Sequence, residues 1–136
     1  LEIVDVPGFG YAKKKPGQER DEWQPLMDSL KSKSYGRGLQ WLWLVDPTRK
    51  PADEELQLAQ WLGREPFTLI FTKADQVKRG DRVRIETEWK KFSERASEGP
   101  FWISSTKGEG FKELFQSARS FVRLQNTAGG DGGDPA

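Results

Sequence analysis

Apolar runs alternate along this chain with apolar residues at helical spacing. Residues 39–45 (LQWLWLV) and 67–71 (FTLIF) are almost wholly apolar, which is typical of strands buried on both faces of a parallel sheet. Ile85, Trp89 and Phe92 recur at intervals of four and three residues, which predicts a helix over residues 81–96. We therefore predict an α/β fold in which a parallel sheet carries helices on both faces. The other predicted elements are strands at 1–5 and 101–103 and helices near 19–35, 51–62 and 110–124.

Proline, glycine and aspartate residues predict where the helices begin and end. Pro25 is tolerated in a first turn, so the first helix is expected to begin near Glu22. Gly63 is expected to end the second helix, and Asp81 to cap the third. Residues 1–125 are expected to form one domain. Residues 126–136 are rich in Gly, Asp and Pro and are expected to be a disordered tail.

The composition excludes several classes of function. The chain has no Cys and no His, which excludes a disulfide framework, a Cys nucleophile, a His general base and zinc sites built on those ligands. The formal net charge is +1, so nothing in the overall charge demands a nucleic-acid partner. No run approaches the ~18 apolar residues that a membrane span needs. The first residue is Leu rather than Met, and we expect the chain to be part of a longer protein.

Ligands of parallel α/β sheets bind beyond the carboxyl ends of the strands, and three polar turns fall there. The first is Asp5-Val6-Pro7-Gly8. Its Asp could hold Mg²⁺ through water, and its Gly would let a backbone N–H approach a phosphate. The same residues are equally typical of an ordinary turn.

The second and third turns suggest recognition of a base. In Thr72-Lys73-Ala74-Asp75, the Asp75 carboxylate can accept two N–H groups of guanine, and Lys73 can lie over the base plane. In Ser104-Ser105-Thr106-Lys107-Gly108, a backbone N–H can point at the guanine carbonyl oxygen. Taken singly, the second turn is more typical of a capping Asp beside a solvated Lys, and the third of an ordinary connection. The three turns in this order, each at the end of a strand, are more specific for a nucleotide site than any one of them.

With these turns, the sequence resembles the EngB family of small GTPases, over residues 1–124. Asp5-Val6-Pro7-Gly8-Phe9-Gly10-Tyr11-Ala12-Lys13 is similar to that family's signature, with Trp23 after it. Trp61-Leu62-Gly63 is also similar. The Tyr11-Ala12-Lys13 stretch argues against an Era-type or Der-type GTPase. The resemblance implies a P-loop-NTPase-like sheet and a GTP-binding protein that assists assembly of the large ribosomal subunit and is associated with cell division and septation.

The resemblance also implies roles for individual residues. Asp5, Val6, Pro7 and Gly8 would face the γ-phosphate, with Asp5 holding Mg²⁺ through water. Thr72, Lys73, Ala74 and Asp75 would recognise the guanine of GTP or GDP, and Ile103, Ser104 and Ser105 would close the base pocket. Residues 10–22 would form a switch segment. The expected partner is the large ribosomal subunit or its RNA, and the protein is expected to be a monomer in the bacterial cytoplasm or an organelle stroma or matrix.

The chain departs from the family in its phosphate-binding residues. No G-x-x-x-x-G-K-[ST] motif occurs, so the phosphate-binding loop and the central first strand of the sheet are missing. The strands at 1–5 and 39–45 are then expected to pair directly or to leave an open slot. Phe9 stands where related GTPases use Gln to orient water, and no catalytic residue can be named. We expect this chain alone not to hydrolyse GTP.

Several alternatives stay open from sequence. A non-enzymatic protein that keeps the fold and a ribosome or protein contact is the second hypothesis; the DNA upstream of Leu1 would distinguish the two. Lys13, Lys14 and Lys15 could contact RNA phosphates, although a solvated loop is the more common role. The arginines of residues 79–84 are expected to form a plain helix surface. Asp46 is expected to pair with Arg49.

Overall fold

The computed structural model describes residues 3–6, 18–34 and 39–121. The chain divides into two compact units, one formed by Leu1–Leu39 with Ala52–Gly63 and the other by Gln40–Pro51 with Arg64–Ala136. The second unit contains a sheet of three parallel strands in the order β1 (Trp41–Val45), β2 (Phe67–Phe71) and β3 (Glu98–Trp102). The predicted α/β class with a parallel sheet is confirmed.

β2 is the central strand and the most deeply buried one. All five of its residues are buried, as expected for a strand with a neighbour on each side and both faces covered. β1 differs, because Trp43 and Val45 are buried whereas Leu42 and Leu44 are 47% and 54% exposed. The prediction that both strands are buried on both faces is therefore right for β2 and wrong for β1. An apolar run alone does not show which face will be covered.

The predicted helix after β2 is two consecutive helices, α3 (Arg79–Glu88) and α4 (Lys90–Ser93). Its stripe of apolar side chains packs on the sheet as predicted, since the rings of Phe71 and Trp89 lie 6.0 Å apart and those of Trp43 and Phe92 5.5 Å apart, both edge to face. Asp81 is not the cap. Lys78 occupies the N-cap position and Asp81 lies in the first turn, where a carboxylate still favours the positive end of the helix dipole.

The first unit contains the helices α1 (Gln18–Ser34) and α2 (Asp53–Leu62). Pro25 lies inside α1, so the expected start near Glu22 is wrong; the helix continues past a residue that lacks a backbone N–H. Gly63 ends α2 with a φ of 58°, as predicted. The two helices meet through Trp61, whose Nε1 donates to Asp28 Oδ1 at 2.7 Å.

The predicted strand at residues 1–5 is not formed in its described part. Residues 3–6 have no regular secondary structure, and Ile3 and Val4 are 80% and 55% exposed. A strand requires hydrogen bonds to a neighbour, which a β-branched apolar sequence does not supply by itself. The described residues thus contain three of the four predicted strands.

Other predicted elements are partly described. The last helix begins at residue 111 and continues to residue 121, close to its predicted start. Residues 7–17, including the lysine cluster and most of the expected switch segment, lie outside the described residues, as does the predicted tail. None of the helices in the described part of the chain combines the length and apolar character needed to cross a bilayer.

Candidate functional site

Two loops meet at the carboxyl edge of the sheet. We name them the β2 loop (residues 72–78) and the β3 loop (residues 103–110). Their backbones are joined because Ala74 N donates to the carbonyl of Ile103 at 3.0 Å. Their side chains are joined because Ser104 Oγ donates to Asp75 Oδ1 at 2.8 Å. The structure therefore brings together the second and third predicted turns.

The β2 loop begins with a residue tied back to the sheet. Thr72 donates through both its backbone N and its Oγ1 to the carbonyl of Val45, at 2.9 and 3.2 Å. Lys73 then adopts a left-handed conformation with φ 54° and ψ 39°, which is costly for a residue with a Cβ. The chain turns there into a short 3₁₀ helix, Ala74–Gln76. This turn buries Ala74 and leaves Asp75 exposed.

The Asp75 carboxylate is an ionised acceptor in this arrangement. The hydrogen bond from Ser104 lowers the pKa of Asp75 below its ordinary value of 3.8, with partial burial opposing it. A carboxylate offers about four lone-pair positions on its two oxygens. Ser104 occupies one of these positions on Oδ1, and the exposed carboxylate keeps lone pairs for donors from a ligand.

The β3 loop is closed on itself. Ser104 is fully buried; its N donates to the carbonyl of Glu109 at 3.1 Å, and its Oγ accepts from Lys107 N at 3.1 Å. Gly110 has a φ of 82°, and a Cβ there would lie 1.8 Å from the carbonyl oxygen of Trp102. The loop thus closes against the end of β3.

Closure leaves residues 105–108 exposed at the outside of the β3 loop. Within the described part of the chain, no group accepts a hydrogen bond from the backbone N–H of Ser105. This N–H is a donor close in sequence to the Ser104 hydroxyl that holds Asp75. The two loops therefore present a carboxylate acceptor and an available backbone donor on adjacent turns.

Lys73 contacts an acid rather than standing alone. Its Nζ lies 3.0 Å from Asp46 Oδ2, and Asp46 Oδ1 also accepts from the backbone and hydroxyl of Thr48. Although burial by itself raises the pKa of Asp46, the hydrogen bonds from Thr48 and Lys73 lower it overall. The expected pairing of Asp46 with Arg49 is wrong, because Lys73 reaches that carboxylate from the β2 loop; Arg49 contacts Asp46 only through its backbone.

Arg82 joins the two loops. This contact was not predicted from the sequence. Its NH1 lies 2.7 Å from Glu109 Oε1 in the β3 loop, and its NH2 donates to the carbonyl of Ala74 in the β2 loop at 3.3 Å. Its side chain is only 17% exposed, so the expectation of a plain helix surface is wrong for this residue. No local pattern reveals the contact, because Arg82 and Glu109 are 27 residues apart.

Two of the four residues of the first predicted turn, Asp5 and Val6, are described. Asp5 is exposed and Val6 half-buried, whereas Pro7 and Gly8 lie outside the described residues. No group of three or more His, Cys, Asp or Glu side chains that could hold a metal occurs within the residues described. Because Mg²⁺ is commonly held by one or two carboxylates together with substrate phosphates and water, the magnesium role of Asp5 stays a prediction.

A surface cleft of about 330 Å³ is lined in part by the end of the β2 loop, residues 76–78. Its walls come from the segment after β1 and from α3, and include Lys50, Val77, Arg84 and Ile85. None of the predicted guanine-recognition residues lines this cleft. The Asp75 and Ser105 groups instead face outward from exposed positions.

Comparison with known proteins finds several relatives named EngB. The chain is 35% identical over 124 residues to a probable GTP-binding protein EngB of Thermotoga maritima, covering 89% of this chain and 63% of that protein. It is 33% identical over 129 residues to the corresponding protein of Rickettsia bellii, covering 92% and 59%. The resemblance to the EngB family is confirmed.

A third EngB protein, from a Geobacter species, is 39% identical over 85 residues, 60% of this chain and 38% of that protein. The chain spans about three fifths of the length of the first two EngB relatives. No protein-family model matches the chain.

Proposed function

We propose that this chain supplies the guanine-recognition part of a GTP-binding site. The observation that carries the proposal is the hydrogen bond from Ser104 to Asp75, which joins the two predicted loops. The names of the EngB relatives, each a probable GTP-binding protein, support the same ligand.

The donors and acceptors of the two loops match guanine better than adenine. Asp75, whose carboxylate also accepts from Ser104, would accept from the ring N–H and the 2-amino group. The backbone N–H of Ser105 would donate to the carbonyl oxygen. Adenine has neither the ring N–H nor the carbonyl, so its binding would leave these groups unpaired, which is costly. Thr72 ties the β2 loop to the carbonyl of Val45, and Ala74 and Ile103 join the two loops. Lys73 would lie over the base plane.

The test is a titration of the ¹⁵N-labelled 136-residue chain with GMP, AMP and XMP, followed by NMR. We expect GMP to shift the amide signals of Asp75 and Ser105 at about millimolar concentration, because this chain lacks the phosphate-binding loop and a dissociation constant of about 1 mM corresponds to only about 4 kcal/mol. AMP should leave these signals unchanged. Equal shifts with AMP, or none with GMP, would refute the proposal.

Asp75→Asn tests the role of the carboxylate. An amide donates where the carboxylate accepts, so the variant should bind GMP about tenfold or more weakly and should prefer XMP, whose C2 carbonyl accepts from the amide. Asp81→Asn, on an exposed residue of α3, is the matched control. An unchanged preference for GMP in Asp75→Asn would remove Asp75 from the site.

For the whole protein, we propose GTP hydrolysis coupled to assembly of the large ribosomal subunit, with a role in cell division and septation. The support is the resemblance to EngB; Asp5 would hold Mg²⁺ there through water, with further ligands from residues that this chain does not have. Co-sedimentation with large ribosomal subunits, with GTP and without it, tests the partner.

A non-enzymatic role is the second candidate, favoured by the missing G-x-x-x-x-G-K-[ST] motif. The isolated chain should release no phosphate from GTP above the buffer rate. Turnover by the isolated chain would contradict the missing phosphate site.

A further inference from the structure

Arg82 contacts both guanine-recognition loops from a third element, α3. One guanidinium nitrogen binds the carboxylate of Glu109 in the β3 loop, and the other binds the carbonyl of Ala74 in the β2 loop. We propose that Arg82 is a positioning residue that sets the distance between the two loops and thereby the selectivity for the 2-amino group of guanine. This inference rests on the proposed function.

The two contacts lie next to the groups that would recognise the base. Ala74 immediately precedes Asp75, and the carbonyl of Glu109 accepts from Ser104 N. A guanidinium is planar and rigid, so its two nitrogens hold their acceptors at a fixed separation. Loss of these two contacts would remove a link that holds the β2 loop against the β3 loop.

The guanidinium is itself fixed by its surroundings. It lies over the indole of Trp102 at 4.9 Å, a distance suited to a cation–π contact. The indole is held in turn, because Trp102 Nε1 donates to Glu86 Oε1 at 2.8 Å. Arg82 therefore has a defined position between β3 and the two loops.

Arg82 also contributes a positive charge beside the carboxylate of Glu109. The hydrogen bond from Arg82 lowers the pKa of Glu109, while repulsion from Asp75 acts in the opposite direction. Asp75 and Glu109 carry like charges on the two loops that Arg82 joins. The guanidinium compensates the charge of Glu109, which would otherwise repel the Asp75 carboxylate that accepts from the base.

The test compares Arg82→Gln with Arg84→Gln in the full 136-residue chain. Arg84 is the matched control, because it lies on the same helix but its guanidinium pairs with Glu88 at 2.9 Å rather than with Ala74 or Glu109. The readout is the ratio of affinities for GMP and IMP, since IMP lacks only the 2-amino group. We expect Arg82→Gln to lower this ratio about threefold to tenfold, as for a weakened charged hydrogen bond, and Arg84→Gln to leave it unchanged.

A milder variant, Glu109→Gln, keeps the inference testable if Arg82→Gln does not fold. It keeps the shape of the side chain but removes its charge, and the ratio should fall about threefold. An equal loss of affinity for both nucleotides, with the ratio unchanged, would reduce Arg82 to a structural role and overturn the inference. If the unaltered chain does not prefer GMP over AMP, the proposed function fails first, and Arg82 has no selectivity to set.

Discussion

The β2 and β3 loops and the segment 3–6 all carry residues of predicted nucleotide-binding turns, but they differ in how they are held. The two loops are joined by a backbone hydrogen bond, by Ser104 and Asp75, and by Arg82. Residues 3–6 belong to no strand, and Ile3 is 80% exposed. Residues of the right type become a site where neighbouring strands hold the turns that follow them.

Replacing a core leucine should have the largest effect on the free energy of unfolding. Leu69 is fully buried in β2, so Leu69→Ala should lower the free energy of unfolding by about 2–5 kcal/mol. Ile3→Ala should change it by less than about 0.5 kcal/mol, because that side chain already contacts water. Urea unfolding of the two variants measures the contrast. A comparable loss in Ile3→Ala would show that residue 3 lies in a packed strand.

Closure of the β3 loop should be the next most sensitive feature. Gly110→Ala combines a positive φ with a Cβ placed 1.8 Å from the carbonyl oxygen of Trp102, so it should destabilise the chain by about 2 kcal/mol or more. Gly80 is the matched control in α3, where nothing lies within 4 Å of an added Cβ. Gly80→Ala should stabilise the chain by up to about 1 kcal/mol. Equal melting temperatures for both variants would argue against a closed loop.

Removing the hydrogen bond between the two loops should have an intermediate effect on stability. Ser104→Ala removes the donor to Asp75 and the acceptor of Lys107 N, and should cost about 1–3 kcal/mol because the position is buried. Ser105→Ala, at an exposed position, should change stability by less than about 0.5 kcal/mol. Thermal denaturation of the pair measures the difference. Similar values for the two serines would mean that the loops are not held by Ser104.

The pH dependence of stability should show the smallest effect. The pKa values of Asp75 and Glu109 are lowered by hydrogen bonds from Ser104 and Arg82, below 3.8 and 4.5 respectively. The unfolded chain therefore takes up these protons first as pH falls, so their contribution is present above the ordinary values and is lost as pH falls through the folded-state values.

Glu109→Gln should make urea unfolding less dependent on pH in this acidic range. Glu98→Gln, on an exposed residue of β3, serves as the control. An unchanged pH dependence in Glu109→Gln would indicate that the pair with Arg82 does not persist in solution.

The elements that could be predicted from sequence are those with strong local patterns. The bounds of β2 match the apolar run at 67–71, and Gly63 ends α2 as predicted, since both follow from residues close in sequence. Leu42 and Leu44 looked the same as the β2 residues, yet they are exposed, because what covers a face depends on distant parts of the chain. β3 begins at Glu98, three residues before its predicted start, because the Gly-Pro pair that follows Glu98 is typical of a turn.

The residues of the candidate site also differ in whether they could be predicted from sequence. Asp75 and Ser104 were predicted as members of one site from their places after two strands, because parallel strands end at a common edge. Arg82 and Glu109 were not, because a contact across 27 residues leaves no periodic pattern. Local sequence determined the presence of the helices, the central strand and the types of residues in the candidate site. The tertiary structure alone decided which turns are held together, since that depends on hydrogen bonds between groups far apart in the chain.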